Sequence, residues 1–254
     1  MKTLFLILMF VPLAAFGREN ADALFSKGNT AYIAGQNAGD PADAKTHYAE
    51  AADSYRAAIE ANGGSWAGYY NLGNALYRLG DFGGAALAFE KAVATDPLRP
   101  EAFANLAELR KSAGLPPERT RGAIERLGMR VPFRYLMWTA AAAGWVFLSF
   151  LVLPFLHGGH RIGSIAGAAV SLALFAAAAT GLFGWHIHAR WQIVTNPDAQ
   201  LLAAPDARAS VVGKLAPATG VEVLRRSGDW LFVKSETGAE GWTGAADSQS
   251  AWKR

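Results

Sequence analysis

The chain has 254 residues, of which 52% are hydrophobic, and a formal net charge of +3 at pH 7. That length accommodates two or three domains, and so small a charge gives no argument for binding nucleic acid. With no cysteine, disulfides, thiol catalysis, thiolate metal sites and lipidation of an N-terminal Cys are excluded.

Met1-Lys2 is followed by an apolar run from Leu4 to Phe16 that ends in Ala15-Phe16-Gly17. One positive charge, a short apolar core and a small-residue pattern predict a secretory signal peptide over residues 1–17, cleaved after Gly17. The alternative is an uncleaved anchor, although the apolar core is short for a membrane span.

Residues 18–116 are expected to be an all-α tetratricopeptide repeat region. From Trp66 to Arg99 the sequence has the length and landmarks of one such unit. Leu72-Gly73 sit where the first helix is crossed tightly, Gly80-Asp81-Phe82 form the turn, and Ala85, Phe89 and Ala92 recur along the second helix. Small Gly73 and Ala85 let two helices approach, while Phe89 fills the adjoining gap. Tyr69 stands where the motif usually has Trp. A half-unit from Pro100, with Phe103, Leu106 and Ala107 on the template, stops near Gly114-Leu115-Pro116 and reads as a capping helix. An earlier degenerate copy has Gly28 and Tyr32 on its first helix and Ala51, Tyr55 and Ala58 on its second, with Gln36–Lys45 as an inserted loop. Two repeats and a cap are about the least that can bury a continuous core. Stacks of this kind present a concave surface made by their first helices. Phe25, Asn29, Tyr70, Asn74, Arg78 and Glu108 are placed there, either as a groove for a peptide or partner helix or as ordinary surface positions. The lining lacks the Lys-rich set that would clamp a C-terminal carboxylate.

Charge is unevenly spread. From Arg18 to Glu108 there are 12 acids against 7 Lys/Arg, and from Leu109 to Arg134 there are 2 acids against 7. The basic group is Arg110, Lys111, Arg119, Arg121, Arg126, Arg130 and Arg134. Residues 117–134 form a basic segment that either favours an anionic membrane surface or is a solvated face bordering the membrane.

Two apolar runs follow, at residues 135–156 and 162–185, neither containing an acid, a Lys or an Arg. A helix needs roughly 20 apolar residues to cross the hydrocarbon core, so both are expected to be transmembrane helices. Only His157-Gly158-Gly159-His160-Arg161 separates them, which makes the pair an antiparallel hairpin with both flanks on one side of the bilayer. Trp138, Trp185 and Trp191 are expected as interfacial aromatics. Gly163, Gly167 and Ser171, and likewise Ala140 and Gly144, recur every four residues and are expected to face the partner span. The signal peptide places both flanks outside the cytoplasm. Arg130 and Arg134, against Arg161 alone in the inner loop, speak for the opposite orientation.

After Arg190 the period changes. Leu201-Leu202, Val211-Val212, Val221–Leu224 and Trp230–Val233 are β-favouring runs separated by Pro-, Gly- and Asp-bearing turns. Residues 191–254 are expected to form a small all-β barrel. Its landmarks, Ala204-Pro205-Asp206, Val212-Gly213-Lys214-Leu215, Gly220–Leu224, Gly228–Val233 and Gly241-Trp242, resemble a bacterial SH3-like domain. That resemblance implies binding of peptides or cell-wall material, with Trp230 and Trp242 as barrel core.

Four of the five histidines flank the hairpin, His157 and His160 at one end and His186 and His188 at the other, too far apart for one site. Either pair alone is an incomplete metal set without a nearby acid, so no cofactor or metal is expected. The uncharged spans argue against a transporter or channel. No phosphate-binding loop, nucleophile elbow or metalloprotease motif occurs, and no enzymatic activity is expected.

The order of signal peptide, tetratricopeptide repeats, membrane hairpin and SH3-like module resembles the BatE-type proteins of the Bat aerotolerance operon. The resemblance implies a scaffold of the bacterial inner membrane with its repeat and SH3-like domains in the periplasm. Its implied partners are membrane proteins bearing von Willebrand factor A domains and a MoxR-type ATPase system, besides the lipid bilayer. The alternative is an envelope protein that recognises peptidoglycan through the SH3-like module.

Overall fold

A computed structural model describes residues 2–117, 121–157 and 161–252; the side chains of 2–19, 154–157 and 161–162 lie outside that description. The cleavage-site residues, Arg119, and the hairpin turn with His160 therefore fall outside the described residues or side chains. The chain divides into two compact units. One holds helices α1–α5 and all the strands, and the other holds α6–α8.

In the first unit, α1 (Lys2–Asn37) and α2 (Pro41–Asn62) form one antiparallel pair and α3 (Trp66–Leu79) and α4 (Phe82–Thr95) a second; α5 (Pro100–Ser112) follows. Local chemistry sets the boundaries. The side chains of Asp40, Ser65 and Asp81 accept hydrogen bonds from the first free backbone N–H groups of α2, α3 and α4. Gly63 and Gly80 close α2 and α3 at φ of 78° and 82°, a left-handed conformation that glycine adopts without strain. The inserted loop expected at Gln36–Lys45 shrinks to three residues, Ala38–Asp40. Asp40 caps α2 and Pro41 occupies its first turn, where a missing N–H costs nothing, so a stretch that looked like a helix breaker is a helix start.

The two pairs are built alike. The Phe89 ring lies where a Cβ on Gly73 would stand 2.6 Å from it, and the Tyr55 ring is placed in the same way over Gly28. Tyr55, Phe89, Ala51, Ala85 and Ala92 are all at most 2% exposed.

The strands β1 (Trp191–Val194), β2 (Gln200–Leu202), β3 (Val211–Lys214), β4 (Gly220–Ser227), β5 (Trp230–Ser235), β6 (Glu240–Gly244) and β7 (Ser248–Ser250) form one antiparallel sheet in the order β3-β2-β6-β5-β4-β1-β7. Register shifts between Leu201 and Leu202 and between Val223 and Arg225 mark bulges that bend it. The edges β3 and β7 are not paired with each other, so the sheet curls around Val194, Leu201, Leu215, Val221, Leu231 and Val233 without closing into the expected barrel. Trp230 and Trp242 are not core either; both are half-buried. Trp242 sits in the cross-strand row Leu202–Trp242–Phe232–Arg225, its ring 5.3 Å from that of Phe232 and under the Arg225 guanidinium.

The sheet is docked on the repeat helices. Ile193 and Ala218 belong to the same buried cluster as Leu106, Leu109 and Phe89, and Gly83 of α4 lies against the backbone of Val194 and Thr195. Arg110, counted in the sequence with the juxtamembrane cations, is 3% exposed. It donates to Glu236 Oε2 at 2.6 Å, to the carbonyl of Ala218 at 3.1 Å and to that of Pro116 at 2.8 Å, while Glu236 Oε1 accepts from Gly220 N at 2.8 Å. A buried pair with its hydrogen-bonding groups satisfied in this way avoids leaving a desolvated charge uncompensated. The helix expected to cap the repeat thus reaches the sheet through Arg110 near its C-terminal end.

In the second unit, α7 (Phe133–His157) and α8 (Arg161–His188) are antiparallel and α6 (Ala123–Met129) packs on the end of α8. Segments Phe133–Leu153 and Gly163–His188 are each long and apolar enough to cross a membrane, and only 11% and 22% of their most apolar windows is buried. Exposed apolar side chains on two helices of this length suit a lipid environment. Gly167 receives the Phe150 ring and Gly181 receives Leu136, while Ala140, Ala143, Ala168, Ser171 and Ala178 are buried between the helices. The small-residue expectation is met at Gly167, Ser171 and Ala140, whereas among the described residues none lies within 4 Å of a Cβ built on Gly163.

Candidate partner-binding groove

The six residues expected on a concave face come from three first helices: Phe25 and Asn29 from α1, Tyr70, Asn74 and Arg78 from α3, and Glu108 from α5. Four of them enter two separate clusters, one around Asn29 and one around Asn105. Asn29 Oδ1 accepts from Tyr55 Oη at 2.9 Å and from Asn71 Nδ2 at 3.1 Å, bridging α1, α2 and α3. Asn105 Nδ2 donates to Tyr70 Oη at 3.1 Å and to Asn74 Oδ1 at 2.8 Å, bridging α3 and α5. Phe25 packs tilted on the Tyr55 ring, 5.6 Å between centroids. Arg78 is exposed, and a hydrogen bond with Tyr32 pushes its guanidinium above the usual range. Glu108 is exposed on α5, and its backbone carbonyl accepts from Ser112 Oγ.

Asn29, Tyr32, Ile33, Tyr55, Asn71 and Asn74 line a recess of about 220 Å³. Its lining combines two tyrosines and Ile33 with three amides, which both donate and accept. Burial pushes the Tyr55 hydroxyl from 10 up to about 12, partly offset by its hydrogen bond with Asn71. The group therefore stays protonated and donating at neutral pH. Such a lining can hold one small side chain and pair with the backbone around it, and it provides no nucleophile or general base.

Asn71, Asn105, Tyr32 and Tyr55 were not among the expected groove residues. A signal for two of them was present: Asn-Leu occurs at Asn71-Leu72 and again at Asn105-Leu106, one repeat length apart. Asn29 lies on the degenerate first copy, and its link to Asn71 follows only from the packing of the first helix pair against α3.

The histidine expectation needs correction. His188 is buried and its Nδ1 lies 3.1 Å from Glu125 Oε1, so the pair at this end does have an acid beside it. Glu125 is far away in sequence and is brought in by α6. Trp185, expected at the interface, is 2% exposed, and its Nε1 donates to the carbonyl of Val131 at 3.0 Å. Among the described residues no three His, Cys, Asp or Glu side chains are grouped to hold a metal.

The family model of the tetratricopeptide repeat matches residues 37–100, which span all of α2, α3 and α4. The chain therefore contains tetratricopeptide repeats, a module that is generally non-enzymatic and binds proteins. No curated protein and no solved structure matches the chain.

Proposed function

We propose that this protein is a non-enzymatic, membrane-anchored scaffold that gathers protein partners in an envelope complex of the Bat type. The observation that carries the reading is the amide-lined recess spanning α1 to α3, which continues to α5 through Asn74 and Asn105. The partners implied by the resemblance are von Willebrand factor A-domain membrane proteins and a MoxR-type ATPase system. Phe25, Asn29, Tyr70, Asn74, Arg78 and Glu108, joined by Asn71 and Asn105, are the residues proposed to meet them. Co-purification of the full chain with each candidate partner tests this. Asn74→Ala with Asn105→Ala should abolish it, and retention by the double variant would refute the groove.

The docking of residues 191–252 on the repeat helices supports a hairpin that crosses the membrane twice, because parts of one compact unit share one side. We place that side in the periplasm, following the signal peptide at residues 1–17, with the hairpin in the bacterial inner membrane. The arginines before Tyr135 oppose this orientation. A reporter active only outside the cytoplasm, fused after Arg254, should be active, and inactivity would reverse the topology.

A second reading has one observation in its favour. The Phe232–Trp242 pair, with Arg225 stacked on it, lies on the outer face of a sheet proposed to be SH3-like, where a cell-wall glycan or peptide could stack. Salt-resistant sedimentation of the full chain with purified cell wall, lost in Trp242→Ala, would support it. The full chain is required because Ile193 and Ala218 are buried among repeat residues.

A further inference from the structure

At the start of the second unit, α6 and the turn into α7 carry three exposed apolar and three exposed cationic side chains. Glu125, Gly128 and Met129 of α6 turn inward. Gly128 and Gly184 lie backbone to backbone, Glu125 meets His188, and Trp185 donates to Val131. A free helix of seven residues is not stable in water, so this clamp on α8 is what holds α6 in place.

Two further sectors of α6 face outward. Ile124 is 42% exposed and Leu127 51%, three residues apart on one side of α6, and Val131, just beyond the helix, is 38% exposed. Arg126 and Arg130 are exposed beside them, and Arg134 follows one turn on. The one acid between residues 121 and 134, Glu125, is turned inward against His188 and Arg121, so the exposed charge here is positive. The same end of the hairpin is marked by the contact of Leu136 with Gly181. There Tyr135 and Trp138 are 51% and 73% exposed, and the Arg134 guanidinium lies 4.8 Å from the Tyr135 ring centre. Exposed aromatics at the end of an apolar helix, next to a short helix with one apolar and one cationic flank, are the features of a membrane interface.

We propose that α6 and the turn into α7 form an interfacial ledge for an anionic bilayer surface. Ile124, Leu127 and Val131 seat at the acyl boundary, and Arg126, Arg130 and Arg134 meet lipid phosphates. The proposal rests on reading α7 and α8 as a membrane hairpin, and it gives the basic segment a defined depth and a lipid preference. Each cation near an anionic surface favours binding, which gives a readable dependence on lipid charge.

The absence of cysteine allows single labels in the full chain. Leu127→Cys and, separately, Val152→Cys in α7 are labelled with an environment-sensitive fluorophore. They are reconstituted in phosphatidylcholine vesicles with or without phosphatidylglycerol, each containing a shallow or a deep spin-labelled lipid. The label at 127 should be quenched by the shallow lipid in the anionic vesicles. That quenching should fall at least about twofold in phosphatidylcholine alone or with Arg126→Gln and Arg130→Gln. The label at 152 should be quenched by the deep lipid in every case. If 152 is quenched and 127 is not, the ledge is wrong and the hairpin stands. If 127 is quenched equally whatever the lipid or variant, the anionic preference is wrong. If 152 is unquenched, the hairpin falls and the ledge with it. Ile124→Cys repeats the first measurement in case Leu127→Cys disturbs α6.

Discussion

In the unit of repeat helices and sheet, bulky groups fill spaces made for them: Tyr55 over Gly28, Phe89 over Gly73, and Arg110 reaching across to Glu236. In the hairpin unit the contacts depend on what is missing. Gly128 and Gly184 bring two backbones together, Gly167 and Gly181 admit Phe150 and Leu136, and most large apolar side chains point outward. With α7 and α8 read as a membrane hairpin, the difference follows from solvent. In water, burial of large apolar surface drives association, at about 25 cal/mol per Å². In lipid that drive is absent, and close backbone approach supplies the attraction.

Breaking the first kind of contact should have the largest effect. Arg110→Ala or Glu236→Ala leaves a buried charge without its partner and should destabilise the first unit by about 3–5 kcal/mol. Arg110→Met combined with Glu236→Leu should recover most of that loss. Urea unfolding of the full chain in micelles, followed by the fluorescence of the sheet tryptophans, measures both. Equal losses in single and double variants would mean that the pair is not what holds the sheet to the helices.

The second kind should be broken by adding atoms. A Cβ on Gly184 runs into the carbonyl oxygen of Ile124, which is backbone and cannot rotate away. Gly184→Val should cost about 1–3 kcal/mol, released as detachment of α6 while α7 and α8 stay paired. Hydrogen exchange should rise at Ala123–Met129 and remain slow in the hairpin. Unchanged exchange in α6 would mean that the glycine contact does not hold it.

A pH dependence belongs to the first unit. Burial holds the Tyr55 hydroxyl at about 12 in the folded chain, against an ordinary value of 10. The unfolded chain loses its proton first, so this contribution is fully present below pH 10 and is lost as pH rises toward 12. It amounts to at most about 3 kcal/mol. Tyr55→Phe should flatten that alkaline slope, leaving the smaller part due to Tyr69, which burial also raises. An unchanged slope would assign the effect elsewhere.

The smallest effects should come from exposed ion pairs. Asp53→Ala, which removes the pair with Arg56, and Glu50→Ala, which removes the pair with Lys27, should each shift stability by about 0.5 kcal/mol or less. A loss as large as that from Glu236→Ala would overturn the contrast between buried and exposed charge.

Several features were legible in the sequence because they depend on local chemistry or a short period. The helix pair from Trp66 to Arg99 shows in its spacing, with Gly73 and Phe89 as partners. The two apolar helices show in their length, and most strands in their β-branched runs between turns. Repeat register puts Tyr70, Asn74 and Arg78 on α3 and Glu108 on α5, and the same rule singles out Asn71 and Asn105. What the sequence alone does not reveal are the contacts between distant segments. Arg110 looks like one of seven juxtamembrane cations until Glu236, 126 residues away, closes on it. His188 seems to lack an acid until α6 delivers Glu125, and Trp242 looks like core until the sheet stays open and turns it outward. A buried ion pair, a buried histidine and a curled sheet have no periodicity of their own. They arise when separate elements pack and water is excluded between them, and only the tertiary structure determines which elements those are.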